Sequence, residues 1–129
     1  MRLIQVSQHA EDLGRAAAFY SELLGVRPAA VFDPPGLLFF DLEGVRLLLE
    51  RGATRSLLYL EVPDVRQLVE QLRSRGVEVV DPPRLIFSHV DGVLGRAGTD
   101  EWMAFIRDSE GNTVGLVSQL AAEPDAGTA

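Results

Sequence analysis

The chain contains no cysteine. That excludes disulfides, thiolate metal sites and cysteine nucleophiles together, so the fold must rest on packing and hydrogen bonds alone. No apolar run approaches the roughly 20 residues that a membrane-spanning helix needs, and Met1-Arg2-Leu3 leads into a strand pattern rather than a signal peptide. A cytoplasmic protein with no membrane partner is therefore expected. Basic residues are in deficit, 12 against 19 acidic ones, for a net charge of -7. Such a surface repels phosphate backbones, and no nucleic-acid partner is expected. It suits either a plain solvated surface or a neutral or cationic small ligand. Also missing are a serine nucleophile elbow, a phosphate loop and a dinucleotide-binding fingerprint.

What the chain has is repetition. Its 129 residues, 47% hydrophobic, suffice for one domain with a real core. Gln5-Val6-Ser7-Gln8-His9-Ala10-Glu11-Asp12 opens a helical segment ending at Gly25, and Leu57-Leu58-Tyr59-Leu60-Glu61-Val62-Pro63-Asp64 opens another ending at Gly76. Phe39 to Gly44 precedes an apolar strand, as Phe105 to Gly111 precedes Asn112 to Val117. A period seen only twice does not make a solenoid. It predicts two like halves with a pocket between them, over residues 1–51 and 55–119 of a single domain at 1–120, followed by a disordered polar tail at 121–129.

Each half reads as β-α-β-β-β. In the first, Leu3 to Gln8 alternates as a strand, with Ile4 and Val6 on one face and Gln5 and Ser7 on the other. Asp12 is placed to cap a helix whose apolar stripe is Ala16, Phe19, Tyr20, Leu23 and Leu24, with Gly25 as its stop. Strands Pro28 to Phe32, Leu37 to Leu42 and Val45 to Glu50 follow, then a polar joint from Arg51 to Arg55. The second half offers strand Ser56 to Val62, then a helix from Val65 to Arg75 with a capping-box-like start at Asp64 and Gln67 and a stripe of Val65, Leu68, Val69 and Leu72. Strand Val77 to Val80, a break at Pro82-Pro83 and an apolar stretch Leu85 to Phe87 come next. A loop from Ser88 to Thr99 and strands Glu101 to Arg107 and Thr113 to Ser118 complete it. The turn Asp108 to Asn112 between them reads as hairpin chemistry.

The paired plan, with Asp12-Leu13-Gly14-Arg15-Ala16-Ala17-Ala18-Phe19-Tyr20-Ser21-Glu22-Leu23-Leu24-Gly25 and Phe105-Ile106-Arg107-Asp108-Ser109-Glu110-Gly111-Asn112, resembles the vicinal oxygen chelate superfamily. This group holds glyoxalase I, the extradiol dioxygenases, methylmalonyl-CoA epimerase and the bleomycin-resistance proteins, and the resemblance runs from Leu3 to about Gln119. It implies an α+β fold of two βαβββ modules forming a curved mixed sheet, a cup around the site, and a homodimer. It also implies a divalent metal held by four strand residues. By the internal repeat those four positions fall on Gln5, Leu48, Leu57 and Gly115. Only Gln5 carries a donor, and neighbours one residue away add no His, Asp or Glu, so no metal or other cofactor is expected.

The inferred cup face carries Gln5, Ser7, Arg46, Leu48, Leu57, Tyr59 and Gly115 as candidate ligand contacts. Gly115 is expected to leave space for a ligand. Arg46 and Glu50 read either as a pair at a solvated edge or as orienting groups. Trp102 and Tyr59 are candidates for stacking on a flat ligand, as aromatic residues do in the resistance proteins, although Trp102 also reads as core. Glu50, Glu61 and His89 are candidate acids or bases, against plain surface and loop roles. His9 reads as an exposed turn residue or an acid-base group. Two functions follow. One is a glyoxalase/bleomycin-resistance-like small-molecule binder with a degenerate metal site; the other is a metal-dependent lyase, isomerase or dioxygenase using nickel, zinc or iron.

Overall fold

A computed structural model describes residues 1–122. The described residues form strands β1 (Gln5–His9), β2 (Ala30–Phe32), β3 (Leu37–Leu42), β4 (Val45–Glu50), β5 (Leu58–Glu61), β6 (Val79–Ser88), β7 (Thr99–Arg107) and β8 (Thr113–Ala121), with helices α1 (Leu13–Leu24) and α2 (Val65–Ser74). The chain divides into two compact units. The first is Met1–Leu57 with Arg107–Asn112, and the second is Leu58–Ile106 with the chain from Thr113. Each unit holds one helix and one four-stranded sheet, ordered β1-β4-β3-β2 and β5-β8-β7-β6. The first strand of each sheet runs parallel to its last, as β1 to β4 and β5 to β8. This is the twice-repeated βαβββ plan that the repeat predicts.

In the first unit, α1 starts where Asp12 accepts the Arg15 N–H at 3.0 Å and stops at Gly25, whose φ of 70° is left-handed. Its buried residues are Leu13, Ala16 and Tyr20: Ala16 and Tyr20 lie on the expected stripe, Leu13 joins them, and Phe19, Leu23 and Leu24 are only half-buried. They meet Leu38, Phe40, Leu47 and Leu49, which are fully buried on alternate positions of β3 and β4. Each such side chain contributes about 1.5–3 kcal/mol on leaving water. Strands β3 and β4 fall as expected. Strand β1 begins at Gln5 rather than Leu3 and reaches His9, and β2 begins at Ala30, because only Ala30 to Phe32 find ladder partners on β3.

Ser56 does not start the next strand. Its N–H donates to Gln8 Oε1 at 2.8 Å, its carbonyl accepts from Gln8 Nε2 at 2.7 Å, and its hydroxyl donates to the Ser7 carbonyl at 3.0 Å. A buried glutamine thus finds its partners there, and β5 begins at Leu58.

The turn from Arg107 to Asn112 packs with the first unit, and its acids are buried. Asp108 accepts the Tyr20 hydroxyl at 2.5 Å, the N–H groups of Glu110 and Asn112 at 2.8 Å each, and Asn112 Nδ2 at 2.7 Å. Burial, followed by the negative charge of Asp108, pushes the Tyr20 hydroxyl far above the usual phenol range. Asn112 Nδ2 also donates to the His9 carbonyl, and Arg55 donates to the Glu110 carbonyl and to Asn112 Oδ1, all at 2.8 Å. Ordinary turn chemistry accounts for the bonds from Asp108 to the Glu110 and Asn112 N–H groups. The rest is a buried polar network that the sequence reading missed.

In the second unit, Asp64 accepts the Arg66 N–H at 3.0 Å, while Ser118 on β8 accepts the Val65 N–H at 2.8 Å. Val65, Val69 and Leu72 are buried and Leu68 half-buried. The expected break at Pro82-Pro83 does not occur. Strand β6 runs through both prolines because it lies at the sheet edge, where a missing N–H costs little, and its register on β7 shifts between Asp81 and Arg84. Strand β8 extends to Ala121, which the sequence reading assigned to a tail, and residues 123–129 of that expected tail lie outside the described residues.

Glu110 gives the fold a pH dependence. Burial works against its charge, but the Arg15 guanidinium, the Asp12 N–H and the Ser109 hydroxyl outweigh it and lower the carboxyl from 4.5 to about 2. The Arg15 contacts are 2.7 and 3.0 Å. Because the folded value lies below the unfolded one, this stabilisation is complete above about pH 4.5 and disappears as pH falls toward 2. The melting temperature should fall across that window. Glu110→Gln should be less stable at neutral pH by about 1–3 kcal/mol and should show a shallower decline; an unchanged slope in the variant would assign the effect to other groups.

Candidate functional site

Strand alternation sorts the candidate residues by face. In the first unit Gln5 pairs with Arg46, Ser7 with Leu48 and His9 with Glu50 across β1 and β4. These six share the sheet face away from α1, where Phe39 on β3 stands beside Leu48 and meets Phe32 edge-on with ring centres 6.1 Å apart. The Arg46 Nε donates to Gln5 Oε1 at 2.9 Å, leaving the two outer guanidinium nitrogens without a partner among the described residues. Arg46 and Glu50 do not form a pair at a sheet edge, because β4 is an inner strand and Arg46 is turned toward Gln5. His9 ends β1 rather than lying in a turn, with Nδ1 3.0 Å from the Arg51 carbonyl.

In the second unit Tyr59 pairs with Gly115 and Glu61 with Val117 across β5 and β8. Phe105 on β7 shares that face: its ring stands edge-on to Tyr59 with centres 5.9 Å apart. Tyr59 is 54% and Leu57 50% exposed, so both present apolar surface to solvent. Trp102 is not with them. It falls at the alternate position of β7, with buried Ala104 and Ile106, and the Arg66 guanidinium of α2 lies 5.1 Å from its ring centre. A period of two therefore sends it to the helix side, where packing and a cation-π contact occupy it.

The loop from 89 to 98 is tied down by named contacts. His89 is 5% exposed at its stem and lies 2.9 Å through Nε2 from Oε1 of Glu101, itself 7% exposed. The His89 N–H donates to the Thr99 carbonyl, and the Gly98 N–H donates back to the His89 carbonyl. Farther along, the Arg96 N–H donates to Gln119 Oε1 at 3.1 Å. His89 is thus a buried, carboxylate-bound side chain rather than a loop-tip group. Beside this loop, Glu61, Val62, Pro63, Arg96 and Gln119 line a cavity of about 520 Å³. The sequence reading had only Glu61 from that set; Arg96 and Gln119 gave no motif.

The four positions expected to hold a metal do not suit one. A divalent ion needs oxygen, nitrogen or sulfur donors. Leu48, Leu57 and Gly115 offer none from their side chains, and Gln5 Oε1 already accepts Arg46. The space expected at Gly115 is filled as well, since a Cβ there would lie 2.7 Å from Tyr59 Cδ1 and 3.1 Å from Phe105 Cε1. Among the described residues no three His, Asp or Glu side chains gather to hold an ion.

A family model described as the Glyoxalase/Bleomycin resistance protein/Dioxygenase superfamily matches residues 2–116. Among solved structures, the chain is similar to lactoylglutathione lyase from Agrobacterium tumefaciens, at 19% identity and a TM-score of 0.65 over 91% of this chain and 92% of that one. A member of the same superfamily from Sphaerobacter thermophilus is 19% identical, with a TM-score of 0.66 over 92% and 97% of the two chains. A glyoxalase-related enzyme from Fulvimarina pelagi is 18% identical, with a TM-score of 0.65 over 92% and 88%. No curated protein matches. At these identities the structural likeness speaks for the fold.

The crowding at Gly115 is testable. Gly115→Ala should destabilise the protein by about 1–3 kcal/mol through overpacking, read from urea unfolding. Adding Tyr59→Ala should recover a substantial part of that loss, and strict additivity of the two changes would show that the ring does not fill this space.

Proposed function

Because the chain belongs to the glyoxalase/bleomycin resistance protein/dioxygenase superfamily, we propose that it is a small-molecule-binding member that works without a metal. The observation that carries this reading is the donor-poor set Gln5, Leu48, Leu57 and Gly115, with Tyr59 lying over Gly115 where a ligating side chain would project. In the first unit Ser7, Phe39 and the buried Leu48, with Arg46 held by Gln5, make a mixed apolar and polar face with one oriented charge, the mixture typical of ligand sites. In the second unit Tyr59 is exposed, and its ring offers a face to a flat neutral or cationic compound. The net charge of -7 favours the cationic choice. A cytoplasmic homodimer completes the reading, on the strength of the family resemblance.

The other function, a metal-dependent lyase, isomerase or dioxygenase, needs donors that three of the four positions lack. The Agrobacterium structure is that of a lactoylglutathione lyase. Glu50, Glu61 and His89 stay as acid-base candidates only if a reaction is found.

Elemental analysis of purified protein should find no stoichiometric metal, and chelator should leave the melting temperature unchanged. Ethidium or another flat cationic compound should raise it by mass action, and Tyr59→Ala should remove most of that rise. Near one equivalent of nickel, zinc or iron per chain, lost with stability on chelation, would overturn the proposal.

A further inference from the structure

The cavity at the end of β5 is lined by charges of opposite sign that do not neutralise each other. Glu61, Val62 and Pro63 line it together with Arg96 and Gln119. Neither the Glu61 carboxylate nor the Arg96 guanidinium has a hydrogen-bond or ion-pair partner among the described residues. At about 520 Å³ the space falls within the range of small-molecule sites.

Arg96 is also held in place more firmly than a solvated surface arginine requires. Its N–H donates to Gln119 Oε1 at 3.1 Å, and its carbonyl accepts the Thr99 hydroxyl at 2.5 Å. The preceding Gly95 is pressed so close that a Cβ would lie 2.6 Å from Gln119 Nε2 and 2.7 Å from His89 Cε1. His89 is in turn held by Glu101. The backbone is therefore fixed on both sides of a residue that lines the cavity, and its guanidinium has no partner among the described residues. A guanidinium so placed matches a carboxylate through two parallel hydrogen bonds.

We infer that this cavity binds a small zwitterion of the amino-acid type. Its carboxylate meets Arg96, its ammonium meets Glu61, and a short apolar side chain rests on Val62 and Pro63. Both residues are exposed, and a ligand with one charge would meet only one of them, so the pair favours a ligand that carries both. Gln119 acts as a positioning residue, through its bond to the Arg96 backbone. Of the residues in the sheet-face reading the site uses only Glu61, two positions along β5 from Tyr59 on the same face, and it stands or falls separately.

The test is titration of the whole protein with L-alanine, L-valine and L-leucine, followed by backbone amide NMR and calorimetry. Isobutylamine and isovalerate serve as valine analogues lacking the carboxylate and the ammonium. The amides of Glu61, Val62 and Arg96 should shift with at least one amino acid. Each single-charge analogue should bind at least about tenfold more weakly, as should Arg96→Gln and Glu61→Gln with the amino acid. Both variants should melt as the parent does, since neither side chain has a partner to lose. Unmoved amides with all three amino acids, equal binding of a single-charge analogue, or unchanged affinity in both variants would overturn the inference. Tyr59→Ala separates the two sites: loss of amino-acid binding in that variant would place the ligand on the sheet face and sink this cavity as its site. Failure of flat cationic compounds to bind leaves this result unaffected.

Discussion

Everything about this molecule's chemistry depends on the two-residue alternation of its strands. Each sheet gives one face to its helix and the other to whatever it meets next, and a residue cannot choose between them. Leu47 and Leu49 are committed to α1, and Arg46, Leu48 and Glu50 to the opposite face. In the second unit the same rule puts Tyr59, Phe105 and Gly115 together and removes Trp102 from their company. Leu48 and Gly115 keep the alternation but bring no donor atoms, and Tyr59 fills the side-chain space at Gly115.

The buried acids of the turn after β7 follow a different physics. Asp108 and Glu110 lie away from water, yet each finds partners: four donors on Asp108, and a guanidinium, an N–H and a hydroxyl on Glu110. Among the described residues that are not exposed, no buried side-chain nitrogen or oxygen lacks a partner. Such a network tolerates little truncation, because each deletion leaves a desolvated group behind. Its contribution is to fix one arrangement of the turn as much as to add stability.

Much of the fold was legible because its signals are local. Asp12 and Gly25 mark the ends of α1 by capping chemistry, and β3 and β4 were read to the residue because turn residues bound an apolar pattern on both sides. The strand expected from Ser56 starts later because a distant partner decides: Ser56 leaves it for Gln8. Helix α2 starts at Val65 as expected, although its first N–H finds Ser118, 53 residues away. The candidate site was legible only in part. Gln5, Ser7, Arg46 and Leu48 share one sheet face, as the register implied by the repeat has it. Arg96 and Gln119 were invisible, since nothing short of the folded loop brings Arg96 to the far end of β8. Tyr59 was seen as aromatic, but not that its ring would occupy the space of the missing Gly115 side chain.

The prolines of β6 have a consequence beyond their effect on register. This outer strand exposes Val80, Leu85 and Ile86, an apolar edge of the kind that recruits strands from other chains. Pro82 and Pro83 offer no N–H to an incoming strand, and the register shifts on either side break the flat run that cross-β stacking needs. The irregularity that spoils the strand as a sequence pattern is thus what keeps a sticky edge from templating aggregation.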